Sequence, residues 1–260
     1  MIVNQQIQER EGEISDANRS SAQPILTSLV TQSGKIKVVR DDYLKGGTKQ
    51  RAIIPYLTDL SAKGYRRFVY SSPFAGFAQV ALASGCQDLG LECMLFCERD
   101  QTQKMTNSFH EFTALAASMG AEVVLTDSLE KAESMAREYC SNTLSKTLKI
   151  PLGFDCPQYR TFLSRELSKC WQLILKKLGC SPANLWLPVG SGTLANTLRE
   201  IVPLETTLEC VNVHVLNMDD KRLQRIERLP NVNVRSAPER FEERVFERPR
   251  SEEHTSELQS

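Results

Sequence analysis

The sequence predicts an α/β protein built on parallel strands, and three observations lead there. Short apolar runs alternate with helical patterns through the middle of the chain. The stretches between runs are about ten residues or longer, which suits helical crossovers and not tight hairpins. Three turns rich in glycine or hydroxyl residues lead into helices, the place where open α/β folds bind their ligands.

Taken in order, residues 68–70 read as a strand and the alanine-rich 75–89 as the helix after it. Residues 91–97 form a second apolar strand, and 108–119 a helix stopped by Gly120 as its C-cap. A third strand covers 122–125, and the Ser128 hydroxyl is placed to cap a helix over 129–142. The long amphipathic pattern over 157–178 predicts a helix closed by Gly179. A strand over 185–189 then runs into Gly190-Ser191-Gly192-Thr193 and another helix. Residues 208–216 give a β-branched strand, Asp219 or Asp220 starts a further helix, and 231–235 form a last short strand. Helices between strands imply parallel pairing through right-handed crossovers.

Composition narrows the function classes. A chain of 260 residues suffices for one large domain or two lobes, each with a core. Its 32 basic and 32 acidic side chains cancel, which removes the electrostatic case for a nucleic-acid or membrane-surface partner. No apolar run approaches the roughly 20 residues of a membrane span. Residues 1–23 are polar and lack the apolar core of a secretory signal, so a disordered leader is expected. The 8 cysteines sit in apolar stretches, the pattern of reduced, buried thiols in a cytoplasmic protein. Cys93 and Cys97 share one strand face with no histidine beside them, so no metal site is expected.

Residues 250–260 stand apart, because one permitted codon choice for them reads as a common sequencing-library adapter. They are left out of the fold, His254 with them, and the natural chain is expected to continue beyond Pro249.

The sharpest turn is Gly190-Ser191-Gly192-Thr193. Its small residues let backbone N–H groups at a helix start approach a phosphate, with the Ser191 and Thr193 hydroxyls as further donors. A glycine turn that merely packs strand against helix is the equal alternative. In the second turn, Gly46-Gly47-Thr48-Lys49, paired glycines turn the chain into a helix with Lys49 in its first residues. A cation is misplaced at that end of a helix, which hints at an amine able to lose its proton, as Schiff-base chemistry requires. Read locally, with Lys45 and Arg51 beside it, the segment reads sooner as a basic, exposed turn with Lys49 a surface lysine. In the third, Ser71 and Ser72 end a strand before a small-residue helix. Hydroxyls and amides there suit a carboxylate, and a closely packed alanine helix explains the pattern equally.

In this order the three turns resemble the tryptophan-synthase-β type, fold type II, of pyridoxal-phosphate (PLP) enzymes. The segment Gly46-Gly47-Thr48-Lys49-Gln50-Arg51 is similar to the lysine segment of the aminocyclopropane-carboxylate deaminase and D-cysteine desulfhydrase branch. The resemblance spans roughly residues 37–216 and implies a two-lobed, parallel-sheet α/β fold, truncated at the C-terminus. Residues 24–64 and 156–249 would form the larger, cofactor-binding lobe and 65–155 the smaller. It implies Lys49 as the residue that forms the internal aldimine with PLP and then moves the substrate α-proton. It implies Gly190, Ser191, Gly192 and Thr193 as the phosphate loop, and Ser71, Ser72 and Gly76 as the substrate-binding residues. The reaction implied is β-elimination, β-replacement or deamination of a small amino acid, in the cytoplasm, with a homodimer left open.

The sequence departs from the family in three places. The 71–83 stretch carries Pro73, Phe74 and Phe77 but no asparagine to contact the cofactor's ring oxygen. The glycine loop is one residue short of the commonest form. The polar partner of the pyridine nitrogen belongs near the family's C-terminus, past the end of this chain. Two rival readings stay open: a non-catalytic binding or structural relative, and an unrelated Rossmann-like enzyme holding a nucleotide or sugar phosphate. Residues 151–155 are expected to be a plain connection between lobes rather than cleft lining. His214 is expected at a core or edge position of its strand, His110 is unassigned, and the charged run 239–250 is expected to be solvated.

Overall fold

The computed structural model describes residues 23–31, 34–100, 109–143, 146–213 and 220–238. The expectations for His214, the 239–250 run and the 250–260 tail lie outside them.

A hairpin opens the described chain, β1 (Leu26–Thr31) antiparallel to β2 (Gly34–Val39). Leu29 and Val30 are both exposed, so no period-two alternation marks β1, and only the Leu26 and Val39 ends reach the core. A 3-10 turn, Gly47–Lys49, then leads into α1 (Gln50–Ala62).

The next segment builds a parallel four-stranded sheet. Its elements are β3 (Arg67–Ser72), α2 (Ala78–Leu89), β4 (Glu92–Glu98), α3 (Glu111–Ser118), β5 (Glu122–Thr126), α4 (Leu129–Asn142) and β6 (Thr147–Ile150). The spatial order is β5-β4-β3-β6. Strand alternation sorts the side chains. Phe68 and Tyr70 of β3 turn to the core shared with α1 and α2, while Val69 packs with Phe96 on Ala132 and Ala136 of α4. Both faces of the sheet are thereby covered, as parallel sheets require. Two caps follow the expected chemistry. The Ser128 hydroxyl accepts from the Lys131 amide at 3.2 Å, starting α4. Gly179, left-handed at φ +76°, ends the next helix.

That helix is α5 (Pro157–Leu178), whose 22 residues reach about 33 Å at 1.5 Å per residue. Its first half buries Tyr159, Leu163 and Leu167 in the core of the four-stranded sheet. Its second half buries Cys170, Trp171 and Ile174 in a second core. The second core belongs to β7 (Asn184–Val189), α6 (Thr193–Ile201), β8 (Thr207–Asn212), α7 (Lys221–Glu227) and β9 (Val232–Ser236), a parallel sheet in the order β7-β8-β9. Leu194, Leu198 and Ile201 of α6 touch both cores. The two sheets are therefore set by shared helices, and the carboxyl ends of β3 and β7 open on one cleft. Among the described residues no helix is long and apolar enough to cross a membrane.

Candidate active site

The cleft has a volume of about 470 Å³ and collects parts of all three turns: Lys49, Gly76, Gly190, Ser191, Gly192 and Thr193. Lys49 stands at the N-cap of α1. Its backbone is anchored from α5, where the buried Tyr159 hydroxyl donates to the Lys49 carbonyl at 2.9 Å. Behind it the Arg51 guanidinium, almost wholly buried, donates to Asp41 at 3.1 Å. Among the described residues no carboxylate pairs with the Lys49 amine, and desolvation pushes its pKa below the usual lysine value. The neutral amine, a nucleophile and a base, is thus favoured more than on an ordinary surface lysine.

The opposite wall is the turn between β7 and α6. Gly192 takes φ +82° as the N-cap of α6, and the amide of Asn196 makes the first intrahelical bond back to its carbonyl. The amides of Thr193, Leu194 and Ala195 precede that bond, so they have no carbonyl of their own helix to meet. A Cβ placed on Gly190 would meet nothing within 4 Å, so there is room in front of the loop. The two hydroxyls are already coupled. Thr193 Oγ1 donates to the Gly153 carbonyl at 3.2 Å and lies 3.1 Å from Ser191 Oγ. Having spent its single hydrogen on Gly153, Thr193 accepts from Ser191. Ser191 can redirect its hydrogen to a ligand; Thr193 is held, and the backbone amides are the readier donors.

Of the three residues expected at the substrate end, the structure brings only Gly76 to the cleft wall. Ser71 and Ser72 are fully buried. Ser71 faces α4 and donates to Glu133, which is paired with Lys149 at 2.7 Å. Ser72 donates to the Pro73 carbonyl at 2.9 Å. Strand alternation is the reason for Ser71, since neighbours on β3 point to opposite faces. Ser72 shares the face of Tyr70 but lies behind Gly76, where an added Cβ would come within 2.5 Å of its Oγ.

The connection at 151–155 departs from the sequence expectation. Leu152 and Gly153 line the cleft, and Gly153 is bonded on both sides. Its amide donates to the Tyr70 hydroxyl at 3.1 Å and its carbonyl takes Thr193. Its φ of +67° and its closeness to Ser191, whose Oγ would lie 2.6 Å from an added Cβ, leave no space for a side chain. The adjoining Phe154 packs among Tyr56, Tyr70 and Tyr159, so one aromatic cluster connects the Lys49 anchor to the glycine loop.

Tyr70, Phe74, Phe77 and Arg222 also line the cleft and were not expected there. Phe77 packs edge-on against Phe112, with centroids 4.8 Å apart. Arg222 holds Asp220 at 2.7 Å, which brings the Asp220 carboxyl down to about 2. His110 is no catalyst candidate: its Nδ1 accepts from the Phe112 amide and caps α3. The donor set fits a phosphorylated aldehyde. The amides and Ser191 suit a phosphate, the Lys49 amine an aldehyde carbon, and the aromatic walls a ring.

No family model and no curated protein matches the sequence. Solved structures do. The apo diaminopropionate ammonia lyase of Escherichia coli matches over 85% of this chain and 65% of its own, with a TM-score of 0.63 and 13% identity. A structure of an ACC deaminase homologue matches over 84% of this chain and 70% of its own, with a TM-score of 0.63 and 17% identity. A hydrogen sulfide-producing enzyme of Fusobacterium nucleatum matches over 76% of this chain and 66% of its own, with a TM-score of 0.57 and 19% identity. The chain spans 56–65% of the length of the diaminopropionate ammonia lyase chains. One of these was solved in complex with an aminoacrylate-PLP azomethine reaction intermediate. The chain has the two-lobed, parallel-sheet α/β fold of these proteins, PLP fold type II.

Proposed function

We propose that the chain is a PLP-dependent enzyme acting on a small amino acid by β-elimination, β-replacement or deamination. The observation that carries this reading is the pairing, across one cleft, of a desolvated lysine amine with a glycine loop at a helix start. A relative in fold lends support, since the diaminopropionate ammonia lyase of Escherichia coli was solved with a PLP intermediate and, separately, with D-serine.

When bound, the cofactor supplies an electron sink beside the amino acid's Cα. Lys49 Nζ would hold the cofactor by its aldehyde carbon, and the unprotonated amine would take a proton from the substrate Cα and return it. A depressed pKa serves both tasks, because each needs the unprotonated amine. The amides of the 190–193 loop and the Ser191 hydroxyl would hold the phosphate, with Gly190 giving it room and Gly192 supplying the left-handed turn. Gly76 and the loop before α2 would receive the substrate carboxylate. Phe74, Phe77 and Leu152 keep water from the reacting atoms.

The test is a titration of the purified full chain with PLP, followed by visible absorption. Wild type should develop the band of a protein-bound imine, and Lys49→Ala should not. A wild-type chain that takes up no PLP would sink the proposal and leave a non-catalytic protein of the same fold.

A further inference from the structure

Tyr70 ends with a hydroxyl that is only half used. The side chain is 1% exposed, and its ring stacks on Phe154 with centroids 5.8 Å apart and planes at 26°. The hydroxyl accepts from the Gly153 amide at 3.1 Å. A phenol has one hydrogen, and accepting a bond does not spend it. Among the described residues that hydrogen finds no acceptor. Burial raises the phenol's ionisation well above the ordinary tyrosine range, so the hydrogen is present at neutral pH.

The position of the hydroxyl oxygen is held, by the stacked ring and by the Gly153 amide. Gly153 is tied through its carbonyl to Thr193, and its backbone has no room to shift toward Ser191. Tyr70, Gly153, Ser191, Thr193 and Lys49 all line the same cleft. A buried donor without an acceptor carries an energetic penalty, and a ligand oxygen placed there removes it. An anionic oxygen gains most, because a hydrogen bond to a charged acceptor is stronger than one to a neutral acceptor.

We propose that Tyr70 is a ligand-binding donor of this site, giving its hydrogen to an anionic oxygen of bound PLP while the Gly153 amide holds the hydroxyl in place. The inference rests on the reading of the cleft as a PLP site. Two oxygens of the cofactor share the required chemistry, the ring phenolate and the phosphate, and the test separates them.

Wild type, Tyr70→Phe and a chain carrying a fluorinated tyrosine at position 70 are titrated with PLP, with pyridoxal and with inorganic phosphate, without substrate. Apo melting temperatures are measured alongside. The phenylalanine variant keeps the stacking on Phe154 but loses the donor and the acceptor together. Fluorination keeps both and makes the phenol a stronger donor, so it controls for a variant that fails to fold. The expected result is about tenfold weaker PLP binding by Tyr70→Phe, which corresponds to about 1.4 kcal/mol, and tighter binding by the fluorinated chain. If PLP and inorganic phosphate weaken together, the contact is to the phosphate. If PLP and pyridoxal weaken while inorganic phosphate does not, it is to the ring oxygen. Equal binding of all three ligands by wild type and both altered chains overturns the proposal. So does a Tyr70→Phe loss matched by lost apo stability while fluorination changes nothing. A wild-type chain that takes up no PLP overturns the reading of the cleft itself, and this inference with it.

Discussion

Replacing Gly153 by alanine should damage both stability and the glycine loop, for a reason that can be dissected. At φ +67° an alanine sits in the left-handed region, which costs about 1–2 kcal/mol. Its Cβ would also overlap Ser191 Cβ and lie 2.6 Å from Ser191 Oγ. Relieving that overlap displaces the loop, at about 1–3 kcal/mol by the usual range for overpacking. Together these give about 2–5 kcal/mol, and at about 2–4 °C per kcal/mol for a chain of this size the melting temperature should fall by about 4–20 °C. The assay is thermal unfolding of the apo chain followed by circular dichroism, with PLP affinity measured in parallel. Adding Ser191→Gly removes the obstructing atoms and should restore the overpacking part but not the left-handed part, so the two substitutions should be strongly non-additive. A Gly153→Ala chain as stable as wild type would refute the reasoning, as would a double variant that recovers nothing.

Two further predictions concern the lysine wall. Lys49→Met should raise the apo melting temperature at neutral pH while abolishing PLP uptake, because the desolvated ammonium is a cost to the fold. The folded pKa lies below the unfolded one, so the unfolded chain binds more protons between them. Wild-type stability should therefore gain on Lys49→Met as pH rises through that window toward 10.5; parallel pH profiles would contradict the desolvation of Lys49. Arg51→Met should cost about 2–4 kcal/mol in urea unfolding, toward the lower end for a broken buried pair, since it strands a mostly buried Asp41 carboxylate. A loss under about 0.5 kcal/mol, the scale of an exposed pair, would contradict the packing described.

Much of the fold was legible because most elements carry a local signature. The helices at Leu129–Asn142 and Pro157–Leu178 stand where the sequence predicts them, since Ser128 and Gly179 mark their ends. The β1–β2 hairpin and β6 were not legible. The first has exposed apolar residues and no alternation, and the second is only 4 residues, Thr147–Ile150, stabilised by pairing with β3 rather than by its own pattern. The site divides in the same way. Glycines and a helix start mark both Lys49 and the 190–193 loop as candidates, but each has a plain structural reading taken alone, and only their order along the chain singles them out. Ser71 and Ser72 look suitable by residue type, but strand alternation turns Ser71 to Glu133, and Ser72 is held behind Gly76 on the Pro73 carbonyl. Alternation along 68–72 carried the signal that Tyr70 opposes Ser71. The role of Gly153 had no such signal, because it depends on Tyr70 and Thr193 being brought together across more than 100 residues of chain.

The central claim is that Lys49 is the amine that holds the cofactor. Borohydride reduction of the PLP-loaded full chain, followed by proteolysis and mass spectrometry, tests it most directly, because reduction makes the attachment permanent. The account predicts one phosphopyridoxyl group, on the peptide carrying Lys49, and none in Lys49→Met. Stoichiometric attachment to another lysine, such as the exposed Lys45, or no attachment to a chain that has taken up PLP, would contradict it.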